Sequence, residues 1–402
     1  MSSFEEMLEA ESSAWVDEGL ITAEQRARLL ARHPVEPHGA HRFMAILAMI
    51  GGALFIVGVS LVIKANWDQL GDWLKIGGLV ALLVGTYGLG WKLKVAPGHY
   101  PKTGDACFMA GAVAFLLGIA LVSQIFHIDS RPPNGVLLWW VGIAVLPWVV
   151  RARGMQFVSA VAGCVWLGME FGARDSWIRL VTNSGRGFEG EFVLFTAAAF
   201  LVGVTLVGFG FTLRGGRHAY FAGLHEKLGL VLATAALYAL GFSWSAHQWF
   251  YRSMQPARLE PVVLLSVLAA GALGGAWRRN RHEVKALGPY LLLGLVPAGA
   301  NLLGFELHDS NWLWGGLACL AMFLLNLGMI RAGLAAGRES WINLGMAGIA
   351  LNIVTRYFLL FGTMLEGGVF FIVTGLLVLG LGFYLERKRR RLVGALRKEV
   401  AS

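Results

Sequence analysis

The sequence predicts an all-α fold: a polytopic transmembrane helical bundle of about twelve spans, with a short cytoplasmic helical hairpin at the N-terminus. Three observations predict it. The chain is 56% hydrophobic but only 15% charged, with a mean hydropathy of +0.61, whereas a soluble domain carries roughly a quarter charged residues. Its apolar residues fall in runs of roughly 20, the length a helix needs to cross ~30 Å of hydrocarbon. Its Lys and Arg residues alternate from one side of these runs to the other along the whole chain.

The hairpin comes first. Residues 3–18 read as a helix with Phe4, Met7, Leu8, Trp15 and Val16 as its apolar positions, ended by Gly19. A second helix follows from Thr22, with Gln25 placed three residues on as a capping box requires. Leu20, Leu29 and Leu30 are expected to pack the pair. Pro34 and Pro37 then stiffen a linker, giving domain expectations of 1–40 for the soluble segment, 41–385 for the membrane domain and 386–402 for a basic tail.

The candidate spans are 43–63, 74–93, 105–126, 136–150, 155–171, 191–213, 227–245, 261–277, 286–304, 312–330, 341–360 and 367–385, the fourth and fifth being short. With the N-terminus inside, 25 of the 34 Lys and Arg residues lie in inside segments and 8 outside, with Arg356 within a span. That bias follows the positive-inside rule and places both termini in the cytoplasm, in a bacterial inner membrane. The net charge of +9 therefore reads as helix orientation, not as a nucleic-acid footprint. Gly at 53 and Trp at 15 positions suit close helix packing and interfacial anchoring.

A parallel repeat is visible at an offset of 60: Gly51–Trp67 aligns with Gly111–His127 through Gly51/Gly111, Phe55/Phe115, Gly58/Gly118, Leu61/Leu121 and Val62/Val122. Such repeats occur in transporters, and they also arise by chance in chains this rich in Gly, Leu and Val.

The polar residues that stand out gather at the outer ends of spans. Asn66, Trp67 and Asp68 end the first, Gln124, His127 and Asp129 the third, and Glu170 the fifth; Arg356 lies near the outer end of the eleventh, and Glu366 opens the twelfth. Ionisable groups in a membrane are expensive and tend to be functional. Asn66, Trp67, Asp68, Gln124, His127, Glu170 and Arg356 are therefore the expected ligand contacts, with interfacial anchoring as the plainer alternative. Arg356 is expected either to pair with an acid such as Glu170 or Glu366 or to snorkel outward. Arg387, Lys388, Arg389, Arg390 and Arg391 form a polybasic juxtamembrane run that suits contact with anionic lipid, besides its role as an orientation signal.

Four stretches carry a family resemblance. They are Glu18-Gly19-Leu20-Ile21-Thr22 with Glu24 and Gln25; Ala65-Asn66-Trp67; Gln124-Ile125-Phe126-His127 followed by Pro132-Pro133; and Arg356-Tyr357-Phe358 with the tail Glu386-Arg387-Lys388-Arg389-Arg390-Arg391. In these the chain resembles the bacterial domain of unknown function 2157 family of predicted membrane proteins. The resemblance implies a multi-pass fold and a membrane location, and it supplies no reaction.

Chemistry is otherwise sparse. The sequence holds no P-loop, GxSxG or HExxH pattern. Cys107, Cys164 and Cys319 sit inside apolar runs without metal-site or disulfide spacing. His33, His38 and His41 with Glu36 match no defined metal site, and the Gly274-Gly275 and Gly315-Gly316 pairs read as helix packing. No metal and no cofactor is implied. A transporter or small-ligand binder is the favoured class. The alternative is a sensor or scaffold that docks a cytoplasmic partner through residues 1–32, and a membrane-embedded enzyme is the least favoured.

Overall fold

The structure is a computed structural model and describes residues 11–32 (apart from 14 and 17), 69–96, 100–180 (apart from 177), 188–242, 257–303 and 311–361, with scattered positions from 372 to 387. Among the described residues every regular element is helical. The chain forms two compact units, residues 1–75 and 76–402.

In the first unit, α1 (Ala23–Arg32) begins as the sequence predicts. The Thr22 backbone N–H donates to Gln25 Oε1 at 2.9 Å, and the Gln25 N–H donates to Thr22 Oγ1 at 3.2 Å. Two amides that the helix leaves free are thus satisfied reciprocally. Gly19 has φ 72°, the left-handed turn that ends the preceding helical residues. Leu20 is 68% exposed, whereas Trp15 and Leu29 are half-buried. The boundary expected near residue 40 and the first span, 43–63, lie outside the described residues.

The membrane helices then follow: α2 (Asp72–Lys94), α3 (Pro101–Ile125), α4 (Pro132–Ala144), α5 (Leu146–Val150), α6 (Arg153–Gly172), α7 (Phe188–Arg214), α8 (Ala219–Gly241), α9 (Leu259–Arg279), α10 (Arg281–Leu303), α11 (Asn311–Ala335) and α12 (Glu339–Phe361). Pro101 and Pro132 open α3 and α4, where a missing N–H leaves no bond unmade. Pro147 interrupts the ladder between α4 and α5, so the expected span 136–150 is a broken helix covering Pro132–Val150. Among the described residues, eight helices are long and apolar enough to cross a membrane, counting α4 and α5 as one. The helices α8 and α12, of 23 residues each, overlap two further expected spans, α12 closely and α8 with its start at Ala219 in place of 227. The last expected span is described only at scattered helical positions, where Ile372, Leu376, Leu379 and Phe383 are exposed.

The antiparallel pair α7–α8 forms the centre, with α9, α10 and α11 packed around it and α12 against α11. Close approach explains the pairing. A Cβ on Gly229 would lie 2.6 Å from the Gly203 carbonyl oxygen and 2.7 Å from the Val207 nitrogen, both backbone atoms that cannot move aside. Small residues at such crossings let membrane helices gain dispersion contact where no hydrophobic drive exists. The helices α3, α4 and α6 make a second cluster around Phe108, Ile143 and Met155. On α2, by contrast, only Gly90 is buried. Its exposed Trp73, Val84 and Trp91 suit lipid as solvent.

Polar contacts tie helix ends together by side. Lys94 pairs with Asp105 and donates to the Arg151 carbonyl at 3.0 Å; Arg153 Nε donates to the Tyr220 carbonyl at 3.2 Å; Arg279 donates to the Thr212 carbonyl at 3.3 Å. All these residues lie in segments the charge bias places inside. At the other ends, Arg131 pairs with Glu170 at 2.9 Å, Arg258 N–H donates to the Leu180 carbonyl at 2.9 Å, and Ala257 N–H to the Leu302 carbonyl at 2.9 Å. The alternation expected from the sequence and the contacts agree on which ends lie together.

Candidate functional site

A cavity of about 300 Å³ lies where the α4–α5 break, α6, α7, α8 and α9 converge. The break contributes Trp140, Ala144 and Trp148; α6 contributes Gln156, Ser159, Gly163, Cys164 and Trp166. Thr205 and Phe209 come from α7, His225 from α8, and Leu265 and Leu268 from α9. The lining contains no Asp, Glu, Lys or Arg. Trp140 and Trp166 stack with ring centroids 5.6 Å apart, and Trp148 stands edge-on to Phe221 at 4.9 Å and to His218 at 5.1 Å.

His225 is held in one tautomer. Its Nδ1 lies 3.0 Å from the Phe221 carbonyl, and a carbonyl only accepts, so Nδ1 carries the proton and donates. Nε2 is then an acceptor for the side-chain amide of Gln156, 3.2 Å away. That fixes Gln156 with its Oε1 turned away from the histidine. Gln156 is 5% exposed, and its Oε1 has no hydrogen-bond partner among the described residues. The same holds for Trp166 Nε1, whereas the neighbouring Trp139 Nε1 donates to the Ala112 carbonyl at 2.8 Å. Each buried polar atom left without a partner costs about 1–3 kcal/mol, so the cavity carries an unmet acceptor and an unmet donor.

A second feature lies beside it, at the ends of α7, α8, α10 and α12. Glu226 is fully buried. It takes both Arg214 Nε and Nη2 in a bidentate pair and lies 3.5 Å from Arg338 Nη1; Arg338 also pairs with Glu283 and stacks 4.2 Å over Trp341. Two guanidinium groups and two carboxylates make a neutral cluster, the arrangement in which buried charge is tolerated. Burial pushes the Arg338 guanidinium below its ordinary pKa, with Glu226 and Glu283 acting against that and Arg214 adding to it.

Of the residues singled out in the sequence, the described ones do not line this cavity. Gln124 and His127 are exposed at the end of α3, where His127 takes a left-handed conformation at φ 49°. Glu170 is buried and its partner is Arg131, not Arg356. Arg356 neither pairs with Glu170 nor reaches solvent with its nitrogens. Its guanidinium lies 5.3 Å over the Phe242 ring, and all three nitrogens are buried without a hydrogen-bond partner among the described residues. Nearby, Asn352 donates to the Cys319 carbonyl at 3.3 Å, and Tyr238 and Thr355 hydroxyls meet at 2.8 Å. Asn66, Trp67, Asp68 and Glu366 lie outside the described residues, as do His33, His38, His41 and Lys388 to Arg391; Arg387 is helical and exposed. The repeat copy Gly51–Trp67 also falls outside them. Among the described residues, no three His, Cys, Asp or Glu side chains gather as metal ligands.

Sequence reasoning missed Gln156, His225 and Glu226. The hydropathy profile starts the seventh span at 227 and leaves His225 and Glu226 in a loop. In the structure α8 begins at Ala219, because Gln156, Arg214 and Arg338 satisfy those polar groups. The available signal was a polar pair, His225-Glu226, four residues after an aromatic pair in a run otherwise readable as helix.

The fold and its site thus define a polytopic helical membrane protein with a neutral, aromatic-lined cavity among its spans. Residues 13–156 match the family model described as predicted membrane protein (DUF2157), which bears out the resemblance read from the first three motifs. Arg356-Tyr357-Phe358 and the basic tail lie beyond the match. No curated protein and no solved structure matches the chain.

Proposed function

We propose that this protein is a small-ligand-binding membrane protein of the transporter type, and that its ligand is an uncharged, largely apolar molecule held in the Gln156–Trp166 cavity. The observation that carries the reading is the pair of unpartnered buried groups, Gln156 Oε1 and Trp166 Nε1, in one cavity. A ligand that donates to the first and accepts from the second removes both penalties. Stacked and edge-on tryptophans suit a flat or ring-bearing body. The absence of charge in the lining argues against an ionic ligand, which would be desolvated without a counter-charge. The break at Pro147, with Ala144 and Trp148 lining the cavity on either side of it, supports a transporter over a static binder, since transporter sites form at interrupted helices. The 25-to-8 charge bias supports an inner-membrane location with both termini cytoplasmic.

The test is native mass spectrometry of protein extracted in mild detergent. Wild type should carry an adduct that is absent from Ser159→Phe, which fills the cavity, and retained by the Gln124→Ala/His127→Ala double variant. Loss from the double variant with retention in Ser159→Phe would move the site to the outer ends of the spans. A second reading rests on Arg356: its three nitrogens, buried without a hydrogen-bond partner among the described residues, suit an anionic group. An anion adduct lost in Arg356→Met but kept in Ser159→Phe is what that reading requires.

A further inference from the structure

A larger cavity, of about 840 Å³, opens between the first turn of α6 and the first half of α8, and it shares no lining residue with the cavity above. Its rim is cationic. Arg153, Lys227 and Arg214 line it, but Arg214 is already neutralised by Glu226. Arg153 lies 3.9 Å over the Tyr220 ring and spends its Nε on the Tyr220 carbonyl. That contact fixes the guanidinium while leaving its two terminal nitrogens for another acceptor. Among the described residues neither Arg153 nor Lys227 has an acidic partner.

Below the rim the wall turns apolar. Leu228 and Val231 follow Lys227 along α8, Leu224 lies just before it and deeper than Tyr220, and Phe157 stands one turn below Arg153 on α6. Val231 lies roughly 6 Å deeper along the helix axis than Lys227, at 1.5 Å per residue. One turn before Lys227, Gly223 also lines the cavity, and a Cβ there would meet no atom within 4 Å.

We propose that this cavity binds one anionic phospholipid, its phosphodiester held by Arg153 and Lys227 and an acyl chain laid along Phe157, Leu224, Leu228 and Val231. Charge and lining both fit this occupant: two cations without an acidic partner among the described residues, Arg153 in the first turn of α6 and Lys227 two turns into α8, with apolar side chains deeper along both helices. Basic pockets between membrane helices recognise anionic headgroups in this way. The inference does not depend on the Gln156–Trp166 cavity, and it involves none of the tail residues Arg387 to Arg391.

The experiment uses the full-length protein, delipidated in mild detergent and titrated with phosphatidylglycerol or with phosphatidylcholine of the same chains, with bound lipid counted by native mass spectrometry. Wild type should hold one phosphatidylglycerol in preference to phosphatidylcholine. Arg153→Gln/Lys227→Gln should bind it on the order of thirty-fold more weakly, from two basic contributions. Gly223→Leu changes no charge and fills open space, so it should fold as wild type, checked by its unfolding temperature without lipid, and still lose the phosphatidylglycerol. Equal retention of the two lipids, or full retention in Gly223→Leu, would overturn the proposal. So would displacement of phosphatidylglycerol by millimolar inorganic phosphate, which would leave only an anion site.

Discussion

Neutralising Glu226 tests whether the helix-end cluster holds the central bundle together. Glu226→Gln keeps the shape of the side chain but removes its charge, leaving Arg214 and Arg338 to share Glu283. The Glu226–Arg338 contact of 3.5 Å corresponds to about 5 kcal/mol of attraction at an effective dielectric of ~20. Part of that offsets the desolvation of a carboxylate with no exposed surface, and removing one partner of such a cluster destabilises by about 3–5 kcal/mol. The assay is thermal unfolding in detergent, followed with a thiol-reactive dye on the half-buried Cys107, Cys164 and Cys319. The expected fall in midpoint is on the order of 5–10 °C. Adding Arg214→Met restores neutrality through Arg338 and Glu283, so the double variant should be less damaged than the sum of the single changes. An unaltered midpoint in Glu226→Gln, or strict additivity in the double variant, would refute the electrostatic account of this cluster.

Three further outcomes are expected. Arg356→Met should leave the unfolding midpoint unchanged or raise it, because the guanidinium has no hydrogen-bond partner among the described residues and burying it is expensive by about 3 kcal/mol; a fall of that size would point to an ion pair with an acid such as Glu366. Gly229→Val should lower the midpoint through the clash with Gly203 and Val207 backbone, at a cost of about 1–3 kcal/mol or more, whereas Gly223→Ala on the same helix should not. Reporter fusions after Ser130 and after Arg279 should report opposite sides of the membrane, and the same side for both would break the proposed topology.

The helical architecture was legible because a bilayer imposes it: backbone groups in hydrocarbon must bond internally, so an apolar run of sufficient length is a helix. The capping box at Thr22 and Gln25 was legible for a similar reason, since its two hydrogen bonds span three residues and need no tertiary context. The end of a span is less secure. Hydropathy starts the seventh at 227, and nothing in the local sequence says that Arg214 and Arg338 neutralise Glu226 from 12 and 112 residues away. A pairing of that kind converts an expensive buried carboxylate into a helix-end fastener, and hydropathy counts only the expense.

The candidate site was hidden by the same blindness, worked in the opposite direction. The outer polar residues are each conspicuous alone, but Gln124 and His127 are exposed on the protein surface and Glu170 is satisfied by Arg131, so conspicuousness measures expense without measuring compensation. Gln156 is inconspicuous in an apolar run. It becomes informative only once His225, 69 residues on, fixes its amide and leaves Oε1 unmet. Sidedness divides the labour differently. Contacts such as Lys94 to Arg151 and Arg153 to Tyr220 establish which helix ends lie together, yet they are indifferent to which compartment they face. The Lys and Arg bias supplies that choice, and it alone would not exclude two missed spans that cancel. The two observations are complementary: the pairing of ends groups the described helices by side, and the charge bias is the ground for proposing which side is cytoplasmic.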